Sequence, residues 1–123
     1  MRPQVVNAMS VDVEDYFHVS AFDGVVSRAT WDQQESRVVR NTERLLEIYS
    51  DAGVSATFFF LGWVADRFPA LVRRVVEQGH EIASHGYHHQ LVYMLTPDQF
   101  RDDGVVFWAI HTMFLKRRNF PSR

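Results

Sequence analysis

Ser55–His89 reads SATFFFLGWVADRFPALVRRVVEQGHEIASHGYHH. It opens on a continuous apolar run, Ser55–Leu61, rich in β-branched and aromatic residues. That run is too short for a helix of this composition and fits a strand covered on both faces. Trp63–Phe68 predicts a helical turn that ends before Pro69. Pro69–Gln78 predicts a second helix, with proline at its first position and Gly79 just past its end. Glu81–Ser84 then predicts a brief strand that runs directly into a cluster of histidines.

The same alternation extends in both directions. Upstream, Val5–Val13 (VVNAMSVDV) reads as a buried strand ending in carboxylates, and Asp15–Thr30 as a loop whose Tyr16, Phe17 and Phe22 pack over something. From Ser36 to Ala52 the period is helical, with Val38, Val39, Leu45, Leu46, Ile48 and Tyr49 on one broad stripe and Gly53 as the C-terminal cap. Downstream, Thr96 caps a further helix with Pro97 and Asp98 in its first turn, and Gly104 falls inside it. Strand–helix repeats of this kind predict an α/β fold on a parallel sheet, whose sites lie outside the carboxyl ends of the strands.

Composition narrows the function. The 123 residues suggest one domain with a modest core, and 46% hydrophobic with 23% charged residues is ordinary for a folded domain. A net charge of −2 gives no electrostatic case for nucleic acid or an anionic membrane as partner. With no cysteine, any metal must be held by nitrogen and oxygen. Gln4, Asn7, Ser10 and Asp12 interrupt the N-terminal apolar residues, so no export signal is read there. No run reaches the ~18–20 apolar residues of a membrane span. The expected compartment is the cytoplasm.

Two predicted strand ends carry possible metal ligands: DVED at residues 12–15 and HGYHH at residues 85–89. His85 and His89 are four apart, which in a turned or helical segment puts both imidazoles on one side, and Gly86 allows the bend. This is not a HEXXH site, because Gly86 stands where the glutamate would be, so a base must come from elsewhere. Asp12 and Glu14, two apart on a strand, face the same side. One can ligate a metal while the other acts as base toward water. Each motif alone also reads as a polar surface segment. It is their coincidence at two strand ends that raises a metal site to equal standing. His88 reads as a solvent-facing neighbour, His18 and His80 as structural, His111 as incidental, and Trp31 and Trp63 as packing residues.

SVDVEDYFH together with GVSATFFFLGWVADRFPALVRRVVEQGHEIASHGYHH resembles the polysaccharide deacetylases of the NodB-homology type, carbohydrate esterase family 4. The subgroup it is most similar to accompanies exopolysaccharide clusters and the exosortase system. The resemblance spans Val5 to about Asp103. It implies the N-terminal portion of a distorted (β/α) barrel, a divalent metal (commonly zinc), and removal of N-acetyl groups from the amino sugars of a bacterial polysaccharide or its precursor. It also implies roles: Asp12 as general base, His85 and His89 as metal ligands, and Glu14 as the carboxylate ligand with Asp15 as fallback. In this reading residues 1–103 are the first part of the domain, and 104–123 are a divergent tail, truncated or frame-shifted. The family's RAPSFS-type motif and late acid histidine have no counterpart in GVVFWAIHTMFLKRRNFPSR. Two other expectations follow: an inert remnant that keeps its ligands, with little deacetylase activity and an apolar face at Phe107, Trp108, Met113 and Phe114 that self-associates; or a hydrolase of another linear or cyclic amide.

Overall fold

The computed structural model describes residues 4–105. Three strands, β1 (Ser10–Val13), β2 (Thr57–Phe60) and β3 (Glu81–Ser84), form a parallel sheet in the order β1-β2-β3. The register aligns Val13 with Phe60 and Phe60 with Ser84, so the three carboxyl ends lie side by side. The ladder runs one step further: Leu61 N–H donates to Val13 O at 3.2 Å and His85 N–H to Phe60 O at 2.9 Å.

The helices are α1 (Val38–Ala52), α2 (Gly62–Arg67), α3 (Pro69–Glu77) and α4 (97–105). α1 buries Val38, Thr42 and Leu46, and α3 buries Leu71, Val72 and Val75, the faces their apolar spacing dictates. Arg74 of α3 pairs with Glu43 of α1. Both stripes close over one face of the sheet, where Val13, Phe58 and Phe60 are buried and Val11 and Ile82 pack at the edge. Phe58 and Phe60 are fully buried, so the central strand carries the core. Because side chains alternate along a strand, Asp12 and Glu14 are directed to the sheet face opposite Val13.

Chain breaks fall where the residue chemistry puts them. Gly53 ends α1 with φ +64°, in the left-handed region. Thr96 and Gln99 cap α4 reciprocally: Gln99 N–H donates to Thr96 Oγ1 (3.2 Å) and Thr96 N–H to Gln99 Oε1 (2.9 Å). Between β1 and α1 the predicted loop is wound into short 3-10 turns at Tyr16–His18, Ser20–Phe22 and Arg28–Gln33. These turns pack Phe17, His18 and Trp31 into an aromatic cluster with Trp63 of α2, edge to face. Tyr16 and Phe22, expected to pack, are exposed at 42% and 40%.

The first predicted strand is shorter than expected. Val5 and Val6 are 82% and 86% exposed, and pairing begins only at Ser10, where β2 supplies a partner. An apolar, valine-rich run signals β propensity, but a strand exists only where a neighbour completes its ladder. The tail residues Phe107, Trp108, His111, Met113 and Phe114 lie outside the described residues. No helix among the described residues is long and apolar enough to cross a membrane.

Candidate metal centre

Glu14 follows β1 and His85 follows β3, so the parallel register itself carries both to the same edge of the sheet. His89 returns to that edge through a turn, not a helix. Gly86 has φ +71° and His89 has φ +54°, and these two left-handed residues fold the four-residue step back on itself. As a result Glu14 Oε1 is 3.7 Å from His85 Nε2, and Glu14 Oε2 is 2.9 Å from His89 Nε2. The imidazoles of His85 and His89 stand edge to face with centroids 5.0 Å apart. One ligand atom from each of Glu14, His85 and His89 lies within 4.8 Å of the others, the compactness that a shared divalent ion requires.

Asp12 comes to the rim of the same cluster, its Oδ2 3.9 Å from His85 Nε2 and its side chain 57% exposed. Asp15 is elsewhere. Its buried carboxylate accepts from Ser36 Oγ (2.6 Å) and Arg37 N–H (2.7 Å), anchoring the segment that starts α1. Of the two carboxylates open as ligand, only Glu14 therefore faces the histidines. His88 is exposed and its Nδ1 lies 3.0 Å from Asp103 Oδ1, away from the cluster.

The electrostatics suit a cation. Burial opposes ionisation of Glu14, but His85, His89 and His18 around it outweigh that and hold its pKa below the usual carboxylate value. Glu14 in turn raises the pKa of His85 against the effect of burial, with Asp12 adding to the rise. Among the described residues Glu14 Oε2 and His85 Nε2 are both buried without a hydrogen-bond partner, although Glu14 Oε2 ion-pairs with His89 Nε2 at 2.9 Å. Buried polar atoms are nearly always satisfied, so two orphans converging from different strands fit a ligand they share. The donor set of two imidazoles and one carboxylate fits zinc or a similar divalent ion.

The sequence profile of the polysaccharide deacetylases matches residues 23–105, well over half of the chain. The chain belongs to the polysaccharide deacetylase family. The matched stretch includes His85 and His89 but starts after Asp12 and Glu14, whose place in the site therefore rests on the geometry. Over 61 residues the chain is 36% identical to a peptidoglycan-N-acetylglucosamine deacetylase of Bacillus cereus, covering 50% of this chain and 22% of that protein. Over 48 residues it is 44% identical to a chitooligosaccharide deacetylase of Sinorhizobium fredii, covering 39% and 22%. The crystal structure of a peptidoglycan N-acetylglucosamine deacetylase superposes with a TM-score of 0.62 at 22% identity, covering 87% of this chain and 41% of that one. The chain thus has the NodB-type (β/α) barrel architecture in part, and spans less than half the length of these relatives.

The sequence missed two residues of the site's surroundings. Asp103 and Arg28 bond the histidine loop from outside it, and no local pattern marks either one. His18, read as structural, is indeed fully buried, and it lies close enough to Glu14 to lower its pKa.

Proposed function

We propose that this polysaccharide deacetylase chain supplies the metal centre and the base of an N-deacetylase acting on N-acetyl amino sugars of a bacterial polysaccharide or its precursor. The observation that carries the reading is the convergence of Glu14, His85 and His89 from two strand ends onto one point. These three residues would hold a divalent ion, zinc being the best fit to the donor set. When bound, such an ion supplies Lewis acidity at the carbonyl of the scissile amide. Asp12 stands at the open rim of the cluster with an exposed carboxylate, placed to accept a proton from an attacking water. Glu14 is ionised at neutral pH and is committed to the histidines, which leaves Asp12 as the group free for proton transfer. The relatives named for peptidoglycan N-acetylglucosamine and chitooligosaccharide support an N-acetylated amino-sugar polymer as substrate class.

Zinc analysis of the purified chain tests the centre. Parent and His88→Ala should each hold one zinc, and Glu14→Ala, His85→Ala and His89→Ala should lose it. A His85→Ala or His89→Ala protein that keeps stoichiometric zinc would refute the ligand set. Acetate release from a chitooligosaccharide tests the base: Asp12→Asn should retain zinc and abolish whatever turnover the parent shows, because an amide cannot accept the proton. Parent protein that binds zinc yet releases no acetate would support the inert reading instead.

A further inference from the structure

The step from β3 to His89 is made of residues that cannot hold its shape alone. Gly86 and His89 both have positive φ, and for a histidine that conformation is strained. The peptide groups between them belong to no helix or strand, yet almost all are bonded from outside. Gly86 O and Tyr87 O accept from the first two amides of α2, Gly62 N–H at 2.8 Å and Trp63 N–H at 3.2 Å. Tyr87 N–H and His88 N–H donate to the two oxygens of one carboxylate, Asp103 of α4, at 2.8 and 3.1 Å. The carbonyls of His88 and His89 accept from one guanidinium, Arg28, through Nε at 3.1 Å and Nη2 at 3.2 Å. Arg28 is itself anchored to Asp23 and lies against the Trp31 ring. The Asp103 side chain is only 12% exposed, so its charge is spent on these amides and on the His88 ring.

We infer that Asp103 and Arg28 are positioning residues of the metal centre: an acceptor clamp and a donor clamp that hold residues 86–89 in the one path that returns the His89 imidazole to Glu14. The inference rests on the reading of Glu14, His85 and His89 as ligands. Neither clamp residue belongs to that set. Without the clamp the left-handed His89 relaxes toward an ordinary φ, and its ring swings off the point it shares with Glu14 and His85. An asparagine at 103 keeps the size but offers one acceptor oxygen where two amides need one each. A lysine at 28 keeps the charge but lacks the planar fork that reaches two consecutive carbonyls.

The test is a cobalt(II) titration of the full chain, followed by calorimetry and visible absorption, beside hydrogen exchange of the Tyr87 and His88 amides without metal. Expected for Asp103→Asn and for Arg28→Lys is a cobalt affinity about tenfold or more below the parent, the scale seen when a group supporting a ligand is lost. The cobalt spectrum should change with it, and in Asp103→Asn the two amides should lose protection. His88→Ala should match the parent within about twofold, because the ring is not what Asp103 holds in place for the metal. Parental affinity and spectrum in both clamp variants would overturn the inference, as would undiminished protection of the Tyr87 and His88 amides in Asp103→Asn. If Asp103→Asn fails to fold, Arg28→Lys decides by the same cobalt criterion. A parent chain that takes up no cobalt would overturn the ligand reading itself, and the exchange rates would then still decide whether Asp103 holds the loop.

Discussion

His18 shows how one buried residue can set a pH response. Its side chain is fully buried, its Nδ1 accepts from Asp15 N–H at 2.8 Å, and Phe17, Trp31 and Trp63 surround the ring. With Nδ1 accepting, the neutral ring carries its proton on Nε2, which has no partner among the described residues. Burial pushes its pKa down to about 4, against the opposing pull of Glu14 and with a small further push from His89. The folded state therefore binds fewer protons than the unfolded chain between roughly pH 6.5 and 4. The resulting stability is fully present above pH 6.5 and is lost as the pH falls toward 4. Its size is on the order of 3 kcal/mol. Urea unfolding of the metal-free chain across that range should show a steeper loss for the parent than for His18→Phe. That variant keeps an aromatic ring but cannot titrate, and it leaves the Asp15 amide unpaired at a pH-independent cost of about 1–3 kcal/mol. Parallel curves for the two proteins would mean that His18 is not the group that titrates.

At the scale of elements, the docking of α2 onto the histidine loop has a sharp steric test. Gly62 begins α2, and a Cβ placed there would come within 2.4 Å of Tyr87 Cδ2 and 3.0 Å of Tyr87 Cα. The ring could turn away, but the backbone atom could not without moving the loop. Gly62→Ala should cost about 1–3 kcal/mol in urea unfolding, the usual range for overpacking. Gly24→Ala, whose added methyl would meet nothing within 4 Å, should change stability by no more than about 0.5 kcal/mol. Equal stability of the two variants would show that α2 is not seated on Tyr87. The elements themselves were largely legible, because α1, α3, β2 and β3 are written in local period and in their glycine and proline ends. The site was half legible. Asp12, Glu14, His85 and His89 stood out as strand-end residues, but the choice between Glu14 and Asp15 could not be made locally. It depends on Ser36 and Arg37, which draw Asp15 away from the histidines. Asp103 was invisible for the same reason: its partners lie 15 and 16 residues away, in a turn whose bonds no periodicity encodes.

For the molecule as a whole, the question is what lies against the apolar surface beyond β3. Val92, Tyr93, Met94, Phe100 and Val105 are 61%, 81%, 73%, 54% and 59% exposed, on and between the turn that follows the histidines and α4. Leu91, Val92, Leu95 and Phe100 line a groove that also reaches His85, His89 and Asp103. Among the described residues β3 pairs only with β2, and Ser84 at its end also lines this groove. Single exposed apolar residues are normal, but several close in sequence, together with a sheet edge left unpaired among the described residues, favour association. Sedimentation velocity of the purified chain should therefore show a weight-average mass that rises with concentration. Val92→Lys combined with Met94→Lys should suppress the rise, since charge on the patch opposes its burial without touching the ligands. Zinc content should be unchanged in the double variant, which separates loss of association from damage to the site. A parent that sediments as a monomer at every concentration would show that the patch is too small or too broken to drive assembly. A double variant that still associates would move the contact from the 92–105 surface to the β3 edge.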